Sequence, residues 1–346
     1  MMFVWLFAFS VGVALVTAAI VRLVDPGADD ARGMRSGGTL IWLSIVLSWL
    51  ATSMIMSNPG MAFGLDAGVV SLLLIVGVGI LDDSLNLSWR QKLAGEVAAM
   101  LPLAFAMKSV VAVSSAATFV VMTVVCIFWL LLLVNGANLM DGIDGYVGAW
   151  SLLTILWMLF VTFKAGLDFP LARVLALATG PLLLFVVYNR WPARVFLGDA
   201  GSLSLGFAIG LMAILLLVQR MDGSRLAAVL IALTLPILEV ATTIIRRVAA
   251  GRSVVAPDKQ HIHHRLVQLY GGKTRRAADT LMFAQIGLLA LASAADTAHP
   301  VIAGLVCVVT WSCAISLWLF VVSLGGLVQD RMRGSALPTT AERGRL

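Results

Sequence analysis

VVMTVVCIFWLLLLVNGANLMDGIDGYVGAWSLLTILWMLF occupies residues 120–160. Its middle, NGANLMDGIDG at 135–145, carries two Asn, two Asp and three Gly between two apolar runs, roughly 110–134 and 146–163. An Asp at the centre of a bilayer costs about 2.5–3.5 kcal/mol even on lenient insertion scales. Asp141 and Asp144 therefore belong where a membrane helix emerges into water, and the segment reads as a glycine-rich turn between two spans. Short cytoplasmic turns are ordinarily basic, yet this one holds neither Lys nor Arg. Turn chemistry alone would account for its Asn and Asp residues. The sharper expectation is a carboxylate cluster at the membrane surface that binds a metal or a cationic group.

The rest of the chain supports a membrane reading. Of 346 residues, 60% are hydrophobic and only 12% charged, against about 25% charged in soluble domains. The mean hydropathy is +1.00. A span needs about 20 apolar residues, so the length fits an all-α, polytopic bundle of roughly ten or eleven transmembrane helices and excludes a soluble domain of any size. Residues 1–330 read as one transmembrane catalytic domain and 331–346 as a disordered basic tail. The formal net charge of +6 reports membrane topology and an anionic lipid surface rather than nucleic acid. Cys126, Cys307 and Cys313 sit in apolar runs without metal-ligand spacing, and no disulfide is expected. The first apolar run lacks a preceding basic region, so it reads as a helix rather than a cleaved signal.

In order, helices are expected near 3–24, 39–56, 67–81, 93–107, 110–134, 146–163, 171–188, 203–218, 226–245, 280–295 and 301–328. With the N-terminus outside and the C-terminus cytoplasmic, only Lys108, Lys164, Arg173, Arg220 and Arg225 of the 24 basic residues fall on the outer side, as positive-inside orientation requires. The loops 25–38, 82–92, 135–145, 189–202 and 246–278 then share the cytoplasmic face. Polar loops gathered at one end describe a site better than a channel, and the absence of an internal repeat weakens a transporter reading.

Four segments carry the candidate chemistry. Asp82 and Asp83 lie at the C-terminal end of a helix, where the macrodipole disfavours anions by a few tenths to about 1 kcal/mol; a divalent cation or Lys92 would compensate. In FLGDAGS (196–202), Gly201 and Ser202 lead into a helix whose first N–H groups would suit phosphate. Asp199 then sets a carboxylate beside that phosphate, the arrangement Mg²⁺ prefers. Phe196 could stack on a base or anchor the loop in lipid. In PDKQHIHHRL (257–266), zinc is disfavoured because no Cys is near, and His261, His263 and His264 are too closely spaced to share one helical face. Beside Arg265 and Lys259 they suit a diphosphate or a sugar. Glu96 and Glu239 are carboxylates inside apolar segments, where a functional or a helix-end structural role is open.

In this order the motifs resemble those of the polyprenyl-phosphate N-acetylhexosamine-1-phosphate transferases, and more closely the GlcNAc-1-phosphate branch than the phospho-MurNAc-pentapeptide translocases. The resemblance runs from Asp25 to about Leu266. Asp82-Asp83 with Lys92 match the family's DD pair and downstream Lys. Asn135, Asn138, Asp141, Asp144 and Gly145 match NxxNxxDGxDG, and Asn189, Pro192, Ala193 and Phe196 to Ser202 match the block ending in GDxGS. His261, His263 and His264 match HxHH. The first loop departs from the family pattern, and Glu239 stands where many relatives carry Asp.

The resemblance implies transfer of a HexNAc-1-phosphate, most simply GlcNAc-1-phosphate, from a UDP-HexNAc to polyprenyl (undecaprenyl) phosphate, releasing UMP. That is the first membrane step of a cell-envelope polysaccharide such as lipopolysaccharide O-antigen. It implies a multi-pass protein of the bacterial inner membrane with its site on the cytoplasmic face, free of nucleic acid and able to form a homodimer. Asp199 would hold Mg²⁺ (or Mn²⁺), Phe196 would stack on uracil, and Asp82 and Asp83 would serve the acceptor phosphate. Asp141 and Asp144 would line the nucleotide and metal region, with Lys92, Asn135, Asn138, Asn189, Gly201, Ser202 and Arg265 around the substrates and the HIHH segment on the sugar diphosphate. A single in-line displacement is expected, with a carboxylate-bound phosphosugar as the rival; a transporter or flippase of an anionic lipid-linked substrate is the competing class.

Overall fold

Apolar runs of this length leave their backbone polar groups no partner in lipid except one another, so each closes into a helix. In the computed structural model, residues 2–24, 41–45, 63–110, 115–166, 169–253 and 260–334 are described. They form α1 (Met2–Val24), α2 (Phe63–Leu85), α3 (Trp89–Val110), α4 (Ala116–Met140), α5 (Tyr146–Lys164) and α6 (Phe169–Asn189). α7 (Gly198–Gln219), α8 (Gly223–Ala232), α9 (Thr234–Ala249), α10 (Ile262–Leu269), α11 (Thr274–Thr297) and α12 (Pro300–Gly334) follow. Seven of these helices are long and apolar enough to cross a membrane, and α8 with α9 makes an eighth if the bent pair is one span. The polytopic all-α expectation holds. The first loop, all of the expected second helix but 41–45, and the tail beyond Gly334 lie outside the described residues.

α7 runs through the middle of the bundle. It packs against α2 and α4, while α3 lies along α2, α5 along α6, and α11 and α12 along α8. Along α7 the side chains of Leu203, Phe207, Ile209, Ala213 and Leu216 are buried. By contrast α4 turns Val120, Val121, Val124, Val125 and Phe128 outward, each more than half exposed, a face that only a hydrocarbon solvent covers at no cost.

Three expected boundaries move. The polar stretch 82–92 is mostly helical: α2 continues to Leu85 and ends on Asn86, whose φ of 51° is the left-handed stop Asn tolerates. Ser88 then precedes α3, and Gln91 reaches back to it, its Oε1 accepting the Ser88 amide at 2.9 Å and the Ser88 hydroxyl at 2.7 Å. NGANLM is likewise the end of α4 rather than part of a turn, because Gly136 and Ala137 are small enough to be buried against neighbouring helices; only residues 141–145 turn.

The third correction is a break. A single helix was expected over 226–245, but α8 and α9 meet at Leu233 with a bend of 69°. Pro236 has no N–H and its ring crowds the carbonyl four residues back, so Ala232 O loses its helical partner. Gln285 of α11 donates Nε2–H to that oxygen at 3.1 Å, and Thr234 Oγ1 caps Ile231 O at 2.8 Å. The break is thus satisfied within the protein, as lipid depth demands.

Candidate active site

The candidate residues gather where the ends of α2 and α4 meet the starts of α3, α7 and α10. α2 and α7 touch backbone to backbone at Gly79: a Cβ there would lie 2.5 Å from Ala200 N and 2.7 Å from Asp199 C. One turn further along α2, Asp83 accepts the amides of Asp199 at 2.9 Å and Ala200 at 3.1 Å. The first N–H groups of α7, expected to face phosphate, are therefore occupied by a carboxylate of the chain itself. This contact also resolves the dipole conflict at the C-terminus of α2, since Asp83 sits on the positive end of another helix.

Lys92, one turn into α3, is the hub. Its Nζ lies 2.8 Å from Asp82 Oδ2 and 2.9 Å from Asp199 Oδ2, and it donates to Asn138 Oδ1 at 3.3 Å. Asn138 Nδ2 donates in turn to Asp199 Oδ1 at 2.7 Å and Ser202 Oγ at 3.0 Å. Four segments separated in sequence, carrying Asp82, Lys92, Asn138 and Asp199, thus form one hydrogen-bonded cluster. Asn135 lies a turn deeper and donates to Glu96 Oε2 at 2.9 Å, so it supports a fully buried carboxyl group beneath the cluster.

The 141–145 turn closes the cluster from above. Burial among protein atoms, then the carboxylates of Asp199, Asp83 and Asp144, push the Asp141 carboxyl up to about 7, although the residue is exposed to solvent at the mouth of the site. Asp144 Oδ2 accepts Ala193 N at 3.1 Å. Asn189 is buried, and it accepts Gly145 N at 2.9 Å and donates to Val195 O at 2.8 Å. These two residues tie the turn to the loop that carries half-buried Phe196. Gly201, expected in a loop, is buried inside α7.

The histidines come together despite their spacing. His261 sits in extended conformation at the residue before α10, without a side-chain cap, and its ring lies over that of His263. His261 and His263 are stacked at 5.6 Å and 12°, and His263 lies 4.1 Å from His264. His263 is 1% exposed, and both its ring nitrogens lack a hydrogen-bond partner. Burial, helped by His264 and His261, lowers its pKa to about 3, so it is neutral. Its ring presses on the bare Cα of Gly142, where a Cβ would come within 2.8 Å of Cε1 and nearer still to Nε2. Arg265 donates to Gln260 Oε1 at 2.9 Å.

Gly79, Gly142 and Gln285 escaped the sequence reading because their roles are close contacts between segments distant in the chain. Glu239 carried a signal, a carboxylate in an apolar helix, and it receives the histidine segment.

Asp82 and Asp199 share the one ammonium of Lys92, and with Asp83, Asp141 and Asp144 nearby the site carries an excess of negative charge where anionic substrates would bind. Among the described residues no three His, Cys, Asp or Glu side chains converge tightly enough to cage a metal. Mg²⁺ needs no such cage, since it takes one or two carboxylates and fills its shell with phosphate oxygens and water. Asp199 and Asp141, two hard oxygen donors close enough to repel each other, fit that requirement.

Residues 66–217 match the model of glycosyl transferase family 4. The chain is 28% identical over 291 residues to a decaprenyl-phosphate N-acetylglucosaminephosphotransferase of Mycolicibacterium smegmatis, covering 75% of this chain and 71% of that protein. It is 29% identical over 263 residues to a probable undecaprenyl-phosphate N-acetylglucosaminyl 1-phosphate transferase of Bacillus subtilis, covering 74% and 71%. A phospho-N-acetylmuramoyl-pentapeptide-transferase of Streptococcus thermophilus is 30% identical over 202 residues, covering 53% and 58%. The matched segment contains the Asp82, Lys92, Asn138 and Asp199 cluster, and over about three quarters of its length the chain is similar to polyprenyl-phosphate N-acetylglucosamine-phosphate transferases.

Proposed function

We propose that this membrane enzyme transfers GlcNAc-1-phosphate from UDP-GlcNAc to a polyprenyl phosphate and releases UMP, at the cytoplasmic face of a bacterial inner membrane. The observation that carries this reading is the cluster around Lys92. It places two carboxylates, an amide and an ammonium in one mouth between helix ends, and the histidines of α10 close its side. Ionisable groups gathered at one end suit chemistry on a headgroup rather than a transport path through the bilayer.

Attacking and leaving groups are both phosphates, so mutual repulsion is the main barrier and catalysis is mostly positioning and charge neutralisation. Mg²⁺ held by Asp199 and Asp141 would supply neutralising charge between the diphosphate and the incoming phosphate. His264 and Arg265 supply donors for the remaining oxygens, while Lys92 adds positive charge beside them. Asp83, fixed on the α7 amides, holds the α2 and α7 ends in register. The acceptor needs little help from a base, because a phosphate's second pKa is about 6. An oxygen of the lipid phosphate attacks the sugar-bearing phosphorus, and the bond to UMP breaks in line.

Purified protein incubated with UDP-GlcNAc, undecaprenyl phosphate and Mg²⁺ should release UMP, and Asp199→Asn should lower that release at least 100-fold while the protein still melts cooperatively. No UMP release with any of a panel of UDP-HexNAc donors would refute the reading. Topology is checked separately. In a background lacking the native cysteines, a Cys at position 223 should react with an impermeant reagent in intact cells, and one at 272 only after permeabilisation; the reverse pattern would overturn the orientation.

A further inference from the structure

Glu239 lies on α9, one turn past Pro236, and is 2% exposed. A carboxylate so placed must be satisfied, and both its oxygens turn to the start of the histidine segment. Oε1 lies 2.7 Å from His261 Nδ1, and Oε2 accepts the Ile262 amide at 3.3 Å. The second contact satisfies one of the unpaired amides at the beginning of α10. The first concerns a ring that is itself buried and stacked on His263.

We propose that Glu239 is the positioning residue of the histidine motif: it fixes His261 in the tautomer that carries its proton on Nδ1, and so presents Nε2 to the substrates. The inference rests on the transferase reading and adds to it a residue that contacts neither the carboxylate cluster nor the turn. With the Ile262 amide already donating to Oε2, Glu239 serves as the acceptor of this pair, and the hydrogen between it and His261 is assigned to Nδ1. The partner of one ring nitrogen thereby decides what the other can do. The route that fixes Glu239 is also rigid. α9 begins beside α4, where a Cβ on Gly136 would lie 2.8 Å from Pro236. The orientation of His261 is therefore referenced to the same helix that presents Asn135 and Asn138.

Glu239→Gln separates positioning from simple capping. The variant keeps shape and size, and its carbonyl can still accept the Ile262 amide. Its NH₂ then faces His261 Nδ1 and donates to it, which moves the ring proton to Nε2. The chain has four histidines, so ¹⁵N-histidine spectra of the full-length protein in detergent, with His261→Gln to identify its resonances, read the tautomer directly. The wild type should show Nδ1–H at His261, and Glu239→Gln should show Nε2–H with kcat lowered at least 100-fold and the KM for UDP-GlcNAc within threefold. Glu239→Asp remains acceptor-only and should recover part of kcat relative to Gln.

A Glu239→Gln enzyme with kcat within threefold of wild type would overturn the proposal, as would activity lost with the tautomer unchanged. If that variant does not fold, the wild-type spectrum decides, and Nε2–H there refutes the proposal. A wild type that releases no UMP would remove the transferase reading and leave the tautomer result standing on its own.

Discussion

Adding one methyl group at Gly142 tests whether the histidine helix is seated on the 141–145 turn. The new Cβ would lie 2.8 Å from His263 Cε1 and 2.9 Å from Cδ2, with Nε2 closer. Carbon atoms in contact normally sit about 3.5–4.0 Å apart, so the ring must retreat by roughly 1 Å. It has little room: His264 lies 4.1 Å away on one side and the Tyr146 ring 6.4 Å on another. Overpacking of this kind costs about 1–3 kcal/mol. Gly142 is not among the glycines with positive φ, so Ala adds no backbone strain and the whole effect comes from the contact. A displacement of about 1 Å at a reacting centre costs on the order of 100-fold in rate. Gly142→Ala should therefore lose about that factor in UMP release while its melting temperature in detergent falls by only a few degrees. In a His263→Ala background the ring is gone, and adding Gly142→Ala should leave the melting temperature unchanged. Turnover within threefold of wild type, or the same loss of stability in both backgrounds, would refute the seating of α10 on the turn.

Gly79→Ala should be more damaging, because its Cβ would meet the backbone of Ala200, which cannot rotate away; loss of cooperative melting or of most activity is expected, and a wild-type melt with full turnover would count against the α2–α7 contact. Gln285→Leu leaves Ala232 O unsatisfied in a buried break, which should cost about 1–3 kcal/mol; a chemical-denaturation curve unchanged from wild type would contradict that assignment. Asp141 supplies a pH test. Its carboxyl is raised to about 7 from an ordinary 3.8, so the folded state binds its proton more tightly than the unfolded chain, and this group's contribution to stability falls as pH rises between those values. The ionised form needed to hold a cation dominates only above about 7. At limiting Mg²⁺, UMP release should rise through that pH, with the midpoint moving lower as Mg²⁺ is raised; a flat profile at limiting Mg²⁺ would sink the role given to Asp141.

The fold class followed from hydropathy, and the site's membership from polar residues that interrupt apolar runs, since such residues are costly enough to stand out in a single chain. What escaped were the features decided by distance across the fold. Asp82 and Asp83 read as a pair, yet they face different partners, Lys92 and the α7 amides. The α7 N-terminus looked open to phosphate because nothing local shows that Gly79 lets α2 come close enough for Asp83 to reach it. The histidines looked dispersed because helical spacing alone omits the extended residue before α10, where the His261 ring lies over that of His263. Asn189 shows no local sign that both ends of its amide bind backbone.

The break between α8 and α9 is what joins these parts. Glu239 lies six residues beyond Leu233, about 9 Å along a helix rising 1.5 Å per residue. A bend of 69° at that point displaces it by roughly 10 Å from where a straight helix would carry it, about three times the length of a hydrogen bond. A straight helix would take Glu239 out of reach of His261 and leave a carboxylate in the membrane without a partner. Pro236 makes the bend, and in doing so frees a carbonyl at a depth where lipid offers no donor. Gln285 and Thr234 supply the missing contacts, so a distortion that would be unstable in an isolated helix becomes a fixed angle in the bundle. The same residues that hold the break therefore determine where the histidine segment can sit, and a substitution at Gln285, which touches none of the candidate catalytic groups, should reach the site through that angle.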